Sequence, residues 1–326
     1  MRQVAVVFTG GTISMRVDAA AGGAVPALDG AAILARTDGL SAIADVVPVD
    51  WGLVPASHLS FVQILDLAAT VRRVLEPAGV VGAVVVQGTD TIEETAFALD
   101  LLVPGPKPVV VTGAMRNAGD DGYEGPANLR DAVRVAAAPE ARHQGAVVVM
   151  AGTVLAGDDV LKWDTSSYTT FRAANEGPLG SVAGDHVRLT RRRGHRRWLP
   201  TLPEAAAEPI DLVTALVAQD GRPVRLSLAA GSRGIVVAAT GAGNTHPDML
   251  TAAEEAMAAG VPVVLTTRCP SGEVAARYAF PGGGVHWLRA GAIPGGTLDG
   301  PRARIALALG LGAGLDGAGL RRLFVA

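Results

Sequence analysis

Runs of branched apolar residues alternate with stretches of helical spacing in the first half of the chain. Four runs are almost continuously apolar, which predicts strands buried on both faces of a parallel sheet: residues 4–8, 80–86, 109–112 and 146–150. The stretches between them predict helices at residues 61–76, 91–103 and 127–137. Glu93 and Glu94 fall in the first turn of the second helix, where negative charge suits the helix dipole. This alternation predicts an α/β fold with right-handed crossovers.

The second half repeats the alternation after a change in composition. Residues 191–197 form a dense basic run, Arg-Arg-Arg-Gly-His-Arg-Arg, which predicts a solvated hairpin or loop. Beyond it we predict strands at residues 210–217, 235–239 and 261–266, helices at 249–259 and 305–311, and a strand or turn at 320–324. We therefore predict a larger N-terminal catalytic domain (1–190) with a mainly parallel sheet flanked by helices, a linker (191–208), and a smaller C-terminal α/β domain (209–326) with a parallel sheet.

Composition removes several classes of function. Apolar residues make up 49% of the 326 positions, enough for a sizeable core, and the net charge of −3 supplies no basic field for nucleic acid or membrane surfaces. A single cysteine, Cys269, excludes a disulfide framework, and the histidines lack metal-ligand spacing. No apolar run reaches ~18 residues, and the N-terminus enters a strand without a signal pattern. We expect a cytoplasmic protein without metal, cofactor, nucleic-acid partner or membrane span.

Two threonine loops follow two of the predicted strands. Thr-Gly-Gly-Thr-Ile occupies residues 9–13, and Gln-Gly-Thr-Asp-Thr occupies residues 87–91. Ligands bind at the carboxyl ends of parallel strands, and glycine lets the backbone approach them closely. A threonine nucleophile needs a neighbouring base or cation, which Lys162 could supply. Helix caps for the threonines and a surface position for Lys162 are the alternatives, and these residues alone leave them open.

Further stretches accompany these loops in order along the chain. They are Thr-Gly-Ala-Met-Arg at 112–116, Gly-Pro-Ala-Asn-Leu at 125–129, Val-Leu-Lys at 160–162, Gly-Pro-Leu-Gly at 177–180, Gly-Ala-Gly-Asn at 241–244 and Gly-Thr-Leu at 296–298. The ordered set resembles the bacterial-type L-asparaginases, the family that also contains the glutaminase-asparaginases. The resemblance covers nearly the whole chain.

The resemblance implies an amidohydrolase that converts L-asparagine to L-aspartate and ammonia. Thr12 would be the nucleophile that forms an acyl-enzyme, and Thr89, Lys162 and Asp90 would form a second catalytic set. The implied substrate-binding residues are Gly11, Ser57, His58, Gly88, Thr89, Asp90, Ala114 and Asn244. Asn244 would come from a neighbouring subunit, which implies a homo-oligomer, and we expect a tetramer built as a dimer of dimers.

The chain departs from the family pattern at three places, two of them on the Thr12 side of the site. Residues 14–29, an Ala/Gly-rich segment suited to a closing lid, contain no tyrosine, and Tyr123 is a candidate to replace it. The glutamate expected near residues 282–287 has no clear match. His58 stands where the family carries a short polar residue. These departures keep two alternatives open: an amidase for glutamine or another small amide, and a catalytically weak amino-acid-binding relative.

Overall fold

The computed structural model describes residues 2–18, 22–26 and 28–325, and the chain divides into two units, Met1–Trp198 and Leu199–Ala326. The division falls inside the predicted linker. The strands of the first unit are β1 Gln3–Phe8, β2 Met15–Asp18, β3 Gly23–Pro26, β4 Asp45–Asp50, β5 Val80–Val86, β6 Val109–Thr112, β7 Ala146–Met150, β8 Thr153–Ala156, β9 Val160–Lys162, β10 Phe171–Ala173, β11 Gly180–Ala183 and β12 His186–Leu189. The predicted strands at 80–86, 109–112 and 146–150 are confirmed residue for residue.

Within the described residues, eight strands of the first unit form one sheet, in the order β12-β11-β8-β7-β6-β5-β1-β4. The five strands from β7 to β4 pair in parallel, and the remaining three add antiparallel pairs. The chain passes from β1 to β4 on one side and then to β5 on the other. The order of strands therefore reverses beside β1, and ligands bind at such a switch point, outside the carboxyl ends of the strands.

Helices cover both faces of this sheet, as parallel strands require. They are α1 Gly30–Ala35, α2 Leu40–Ile43, α3 Phe61–Leu75, α4 Ile92–Leu102 and α5 Gly125–Ala137. Val84 and Val86 of β5 pack in one core with Leu129 and Val133 of α5. Because side chains alternate along a strand, the other face of the sheet meets α3 at β5 and α4 at β6 and β7. The core and the predicted α/β class of this unit are thus confirmed.

The second unit has its own parallel sheet, in the order β13-β14-β15-β16. Its elements are β13 Ile210–Thr214, α6 Arg222–Ala229, β14 Gly234–Ala239, α7 Pro247–Ala258, β15 Val263–Thr267, α8 Gly284–Ala290, β16 Ile293–Pro294, α9 Gly300–Gly312 and α10 Gly317–Val325. The smaller α/β domain with a parallel sheet is confirmed. None of the described helices is long and apolar enough to cross a lipid bilayer.

Two local predictions were wrong in the second unit. The strand predicted at 210–217 ends at Thr214, and Val217 beyond it is 94% exposed. The strand or turn predicted at 320–324 is part of α10. Leu320, Leu323 and Phe324 are buried and recur at the spacing of one helix face, a period that a five-residue window is too short to reveal.

Residues 191–197 form the predicted loop, but the prediction that it is solvated was wrong for its paired arginines. The Arg193 side chain is 3% exposed and lies 2.7 Å from Asp100 and 2.6 Å from Asp158. Arg196 pairs with Asp100 and Arg197 with Asp158. Burial lowers the pKa of the Arg193 guanidinium, but the carboxylates outweigh burial and hold that pKa above its usual range. Arginines of this run therefore form ion pairs with carboxylates of the first unit. No local sequence pattern reveals these pairs, because the partners lie far away along the chain.

Candidate active site

The two threonine loops touch each other through two glycines. A Cβ at Gly11 would lie 2.1 Å from the Gly88 backbone nitrogen, and Gly11 has a φ of +98°. No L side chain fits that space, and few adopt that backbone conformation. The contact lies beyond the carboxyl ends of β1 and β5, at the switch point of the sheet. The structure therefore brings Thr12 and Thr89 to one place.

The loop that carries Ser57 and His58 packs on the same spot. A Cβ at Gly88 would lie 3.0 Å from the Ala56 methyl group. Ala56 is buried and begins a short 3-10 turn, Ala56–His58, whereas Ser57 and His58 are exposed. The Thr91 hydroxyl donates to the Ala56 carbonyl oxygen over 3.0 Å. Ser57 and His58 are thus presented to solvent beside the second threonine loop.

Ala114 lies in a fourth segment, directly after β6. A Cβ at Gly113 would lie 2.4 Å from the Gln87 carbonyl oxygen and 3.5 Å from the Thr89 methyl group. The Asn128 amide of α5 donates to the Gly113 carbonyl oxygen over 3.0 Å. These contacts place the Gly113–Ala114 backbone against the Gln87–Thr89 loop.

Lys162 joins the second threonine loop directly. Its Nζ donates to Thr89 Oγ1 over 3.0 Å and lies 2.8 Å from Asp90 Oδ1. The Lys162 side chain is 16% exposed, whereas the Asp90 side chain is 69% exposed. An ammonium group that donates to a hydroxyl oxygen favours loss of the hydroxyl proton. The carboxylate of Asp90 remains open to a cationic ligand. The alternative of a surface lysine is wrong.

Two carboxylates fix the strand that carries Lys162. Glu93 in the first turn of α4 accepts a hydrogen bond from the Lys162 backbone nitrogen over 2.5 Å. Asp159, 5% exposed, accepts from the backbone nitrogens of Asn175 and Glu176, which lie beyond β10. We predicted Glu93 only as a partner of the helix dipole. Its contact to β9 joins residues 69 positions apart and has no signal in the sequence.

Thr12 is held differently. It opens a short 3-10 turn, Thr12–Ser14, in which the Ser14 hydroxyl donates to the Gly11 carbonyl oxygen over 2.7 Å. The Thr12 hydroxyl makes no hydrogen bond to any residue that the structure describes. The helix-cap alternative is therefore wrong for Thr12, because a capping hydroxyl accepts from the backbone of its own helix. Thr89 makes no capping bond either.

Tyr123 approaches the Thr12 turn from the loop before α5. Its hydroxyl donates to the Ile13 carbonyl oxygen over 2.8 Å. Burial, opposed by Arg36 and assisted by Glu124, raises the pKa of Tyr123 to about 12. At neutral pH this phenol is a hydrogen-bond donor to the backbone and not a base. The predicted lid at 14–29 lies partly outside the described residues, at 19–21 and 27.

Asn244 belongs to the second unit, in a turn after β14 closed by the Thr240 hydroxyl, which donates to the Asn244 carbonyl oxygen over 2.8 Å. The segment at 282–287 packs on this turn, since the Thr245 backbone nitrogen donates to Gly282 and the buried Trp287 donates to the Thr245 hydroxyl. The Asn244 side-chain oxygen is buried and has no partner among the described residues.

Among the residues that the structure describes, no group of three His, Cys, Asp or Glu side chains could hold a metal ion.

The Thr12 hydroxyl, which has no hydrogen-bond partner among the described residues, lies in a loop that contacts a hydroxyl–lysine–carboxylate set at the switch point of a parallel sheet. A hydroxyl nucleophile needs such a base or cation nearby, and α/β folds bind their ligands at this edge. The comparisons with known proteins define the family. The family model described as "Asparaginase, N-terminal" matches residues 3–194, and the model "Glutaminase/Asparaginase C-terminal domain" matches residues 209–324. The chain belongs to the asparaginase family, and the predicted resemblance is confirmed.

Individual relatives match along almost the whole chain. An L-asparaginase of Bacillus licheniformis is 33% identical over 323 residues, which are 97% of this chain and 97% of the relative. A probable L-asparaginase of Deinococcus radiodurans is 33% identical over 99% of this chain and 97% of its own length. A probable periplasmic L-asparaginase of Haemophilus influenzae is 36% identical over 71% of this chain and 66% of its own length.

Proposed function

We propose that this chain hydrolyses L-asparagine to L-aspartate and ammonia through an ester on Thr12. The names of the relatives support the substrate. One geometric observation supports the mechanism: the loop that carries Thr12 touches the loop of the Thr89–Asp90–Lys162 set through Gly11 and Gly88. We call these three residues the lysine set.

In the first half-reaction, Thr12 Oγ1 bonds to the carbon of the side-chain amide. The hydroxyl proton passes to the leaving nitrogen, the C–N bond breaks, and ammonia departs. The backbone of Gly11, Gly88 and Ala114 lines the place where negative charge develops on the amide oxygen. Backbone groups fixed in this way stabilise such charge without reorganising during the reaction.

In the second half-reaction, water adds to the ester carbon. The water proton returns to Thr12 Oγ1 as the ester bond breaks, and L-aspartate is released. Lys162 donates to Thr89 Oγ1, so the pair lowers the cost of moving this proton. Both half-reactions take place at one carbon, which explains why the two loops must touch.

The charged ends of the amino acid are held by exposed side chains. Asp90 binds the α-ammonium group, because its carboxylate is largely exposed beside Lys162. Ser57 binds the α-carboxylate from the Ala56–His58 turn, and His58 lies beside it. Asn244 of a neighbouring subunit completes the pocket. This role for Asn244 rests on the resemblance to the family.

We also propose a homotetramer, built as a dimer of dimers, in the cytoplasm. Light scattering after gel filtration measures the mass, and a monomer at micromolar concentration would contradict the assembly. Cell fractionation tests the location. One relative is named as periplasmic, so the location is not common to all relatives.

The decisive experiment follows ammonia release from L-asparagine and L-glutamine. Wild-type protein should act on asparagine, Thr12→Ala should lose turnover, and Lys162→Met should reduce kcat by roughly 10²–10⁴-fold. Turnover that survives in Thr12→Ala contradicts the nucleophile assignment. Faster release from glutamine favours the glutaminase alternative. Asparagine binding measured by calorimetry without any ammonia favours the binding relative.

A further inference from the structure

The start of α4 is tied to the loop that carries Ser57 by one hydroxyl. Thr91 donates to the Ala56 carbonyl oxygen over 3.0 Å and accepts from the Gln87 amide nitrogen over 3.2 Å. Ala56 and Thr91 are 35 positions apart, and Gln87 is fully buried. The contact links two of the loops that meet at the candidate site.

The direction of these hydrogen bonds is determined by chemistry. A carbonyl oxygen only accepts, so the single hydroxyl hydrogen of Thr91 points to Ala56. The Gln87 group that faces Thr91 must then donate, which assigns the nitrogen to that position. Gln87 Oε1 is left buried without a partner among the described residues. The Gln87 amide nitrogen therefore orients the Thr91 hydroxyl.

Thr91 does not serve the purpose that its position suggests. It is the residue that precedes the first turn of α4, where a threonine hydroxyl ordinarily accepts from the helix backbone. No such capping bond forms. The hydroxyl acts outside its own helix, on the turn that presents Ser57.

We infer that Thr91 is a positioning residue that sets the spacing between Ser57 and Asp90. This inference rests on the proposed function, in which these two side chains hold the α-carboxylate and the α-ammonium group. Thr91 follows Asp90 directly, and Ala56 precedes Ser57 directly. The hydrogen bond from Thr91 to Ala56 therefore fixes Ser57 and Asp90 relative to each other. We call Ser57 and Asp90 the substrate clamp. The hydrogen bond itself contacts neither Thr12 nor Lys162, so its loss should raise KM more than it lowers kcat.

The chain supplies a matched control four residues further along. Thr95 is buried in the same helix, and its hydroxyl has no hydrogen-bond partner among the described residues. Thr91→Val and Thr95→Val make the same chemical change in neighbouring helical turns. Only the first removes a bond to the Ser57 loop.

The test measures kcat and KM for L-asparagine in both variants and in Thr91→Ser. Thr91→Val should raise KM about fivefold to tenfold with kcat changed less than about twofold, as expected for the loss of one hydrogen bond. Thr91→Ser should restore KM, and Thr95→Val should match wild type. An unchanged KM in Thr91→Val, or an equal fall in kcat in both valine variants, overturns the inference.

A second variant covers the case in which Thr91→Val does not fold. Gln87→Leu leaves the Thr91 hydroxyl but removes its orienting donor, so KM should rise about twofold to threefold. Wild-type KM in Gln87→Leu would then overturn the inference. Wild-type protein that releases no ammonia contradicts the proposed function. An active wild type together with an unchanged KM in Thr91→Val contradicts only the positioning role of Thr91.

Discussion

The Thr12 turn and the lysine set touch each other, yet they are held by different kinds of contact. Thr89 and Asp90 are bonded to Lys162 through their side chains. The Thr12 turn is fixed by its backbone, through Gly11, Ser14 and the phenol of Tyr123. In the proposed function, one half of the site is therefore assembled around its reactive groups, whereas the reactive hydroxyl of the other half has no hydrogen-bond partner among the described residues.

This difference indicates how the two halves divide the work. In the proposed mechanism the Thr12 hydroxyl must be open to the substrate carbon, with which it forms and breaks a covalent bond. A lysine that moves a proton gains from a fixed geometry, because the cost of ordering it is met when the protein folds. The strand β9, which carries Lys162, has an additional support: Asp158, which precedes β9, pairs with the buried Arg193. Among the described residues, Gly11, Ser14 and Tyr123 support the Thr12 turn, and each of them can be changed separately.

The largest effect is expected from breaking the contact between the two halves. Gly11→Ala puts a Cβ 2.1 Å from the Gly88 nitrogen, so the loops must separate by more than an ångström. We expect kcat/KM for asparagine to fall on the order of 10³-fold, since a 1 Å misplacement alone costs roughly 10²-fold. Gly105→Ala is the control, because its φ is also positive at +127° but nothing lies within 4 Å. Equal losses in both variants would show that backbone strain, and not the contact, is responsible.

The ion pairs that Arg193 and Arg196 form with Asp100 should contribute to the free energy of unfolding. Asp100→Ala leaves Arg193 and Arg196 without a carboxylate that is 1% exposed. We expect the free energy of unfolding in urea to fall by about 3–5 kcal/mol, because Arg193 keeps only Asp158 and the largely buried Arg196 loses the carboxylate with which it pairs. Asp185 pairs with Arg134 but is 86% exposed, so Asp185→Ala should cost less than about 1 kcal/mol. Similar losses in the two variants would contradict a special role for the buried network.

The same contrast separates what the sequence could predict from what it could not. The strands at 80–86, 109–112 and 146–150 were predictable because burial on both faces makes every residue apolar. The two threonine loops were predictable because they follow such strands directly. Three hydrogen bonds at the site were not predictable: Thr91 to Ala56, Lys162 to Glu93, and Tyr123 to Ile13. Each of them joins segments 35 to 110 positions apart through one polar atom. Arg193 was misjudged for the same reason, since its partners lie far away in the sequence.

A smaller effect is expected from loosening the lysine set without touching its side chains. Glu93→Ala removes the acceptor of the Lys162 backbone nitrogen and lets β9 shift. We expect kcat to fall about tenfold with little change in KM, the cost of one charged hydrogen bond. Glu93→Gln keeps an acceptor oxygen and should recover most of kcat. A rise in KM without a fall in kcat would place the effect of Glu93 on the substrate clamp instead.

The smallest effect concerns the phenol that supports the Thr12 turn. Tyr123→Phe removes the hydrogen bond to the Ile13 carbonyl but keeps the ring, so kcat should fall only about threefold to fivefold. Tyr168→Phe is the control, because Tyr168 is 49% exposed and its hydroxyl bonds to no described residue. Unchanged kcat in Tyr123→Phe would show that the Thr12 turn does not depend on this phenol.

The same variant also tests the protonation of Tyr123. Burial raises its pKa from 10.0 in the unfolded chain to about 12 in the folded protein. The folded state therefore holds this proton more tightly, and the resulting stability is fully present below pH 10 and is lost as the pH rises towards 12. Wild type should lose stability over that interval more steeply than Tyr123→Phe in urea unfolding. The difference in phenolate absorbance between the two proteins should show a midpoint near 12, and a midpoint near 10 would mean that the Tyr123 hydroxyl is exposed and the Thr12 turn unsupported on that side.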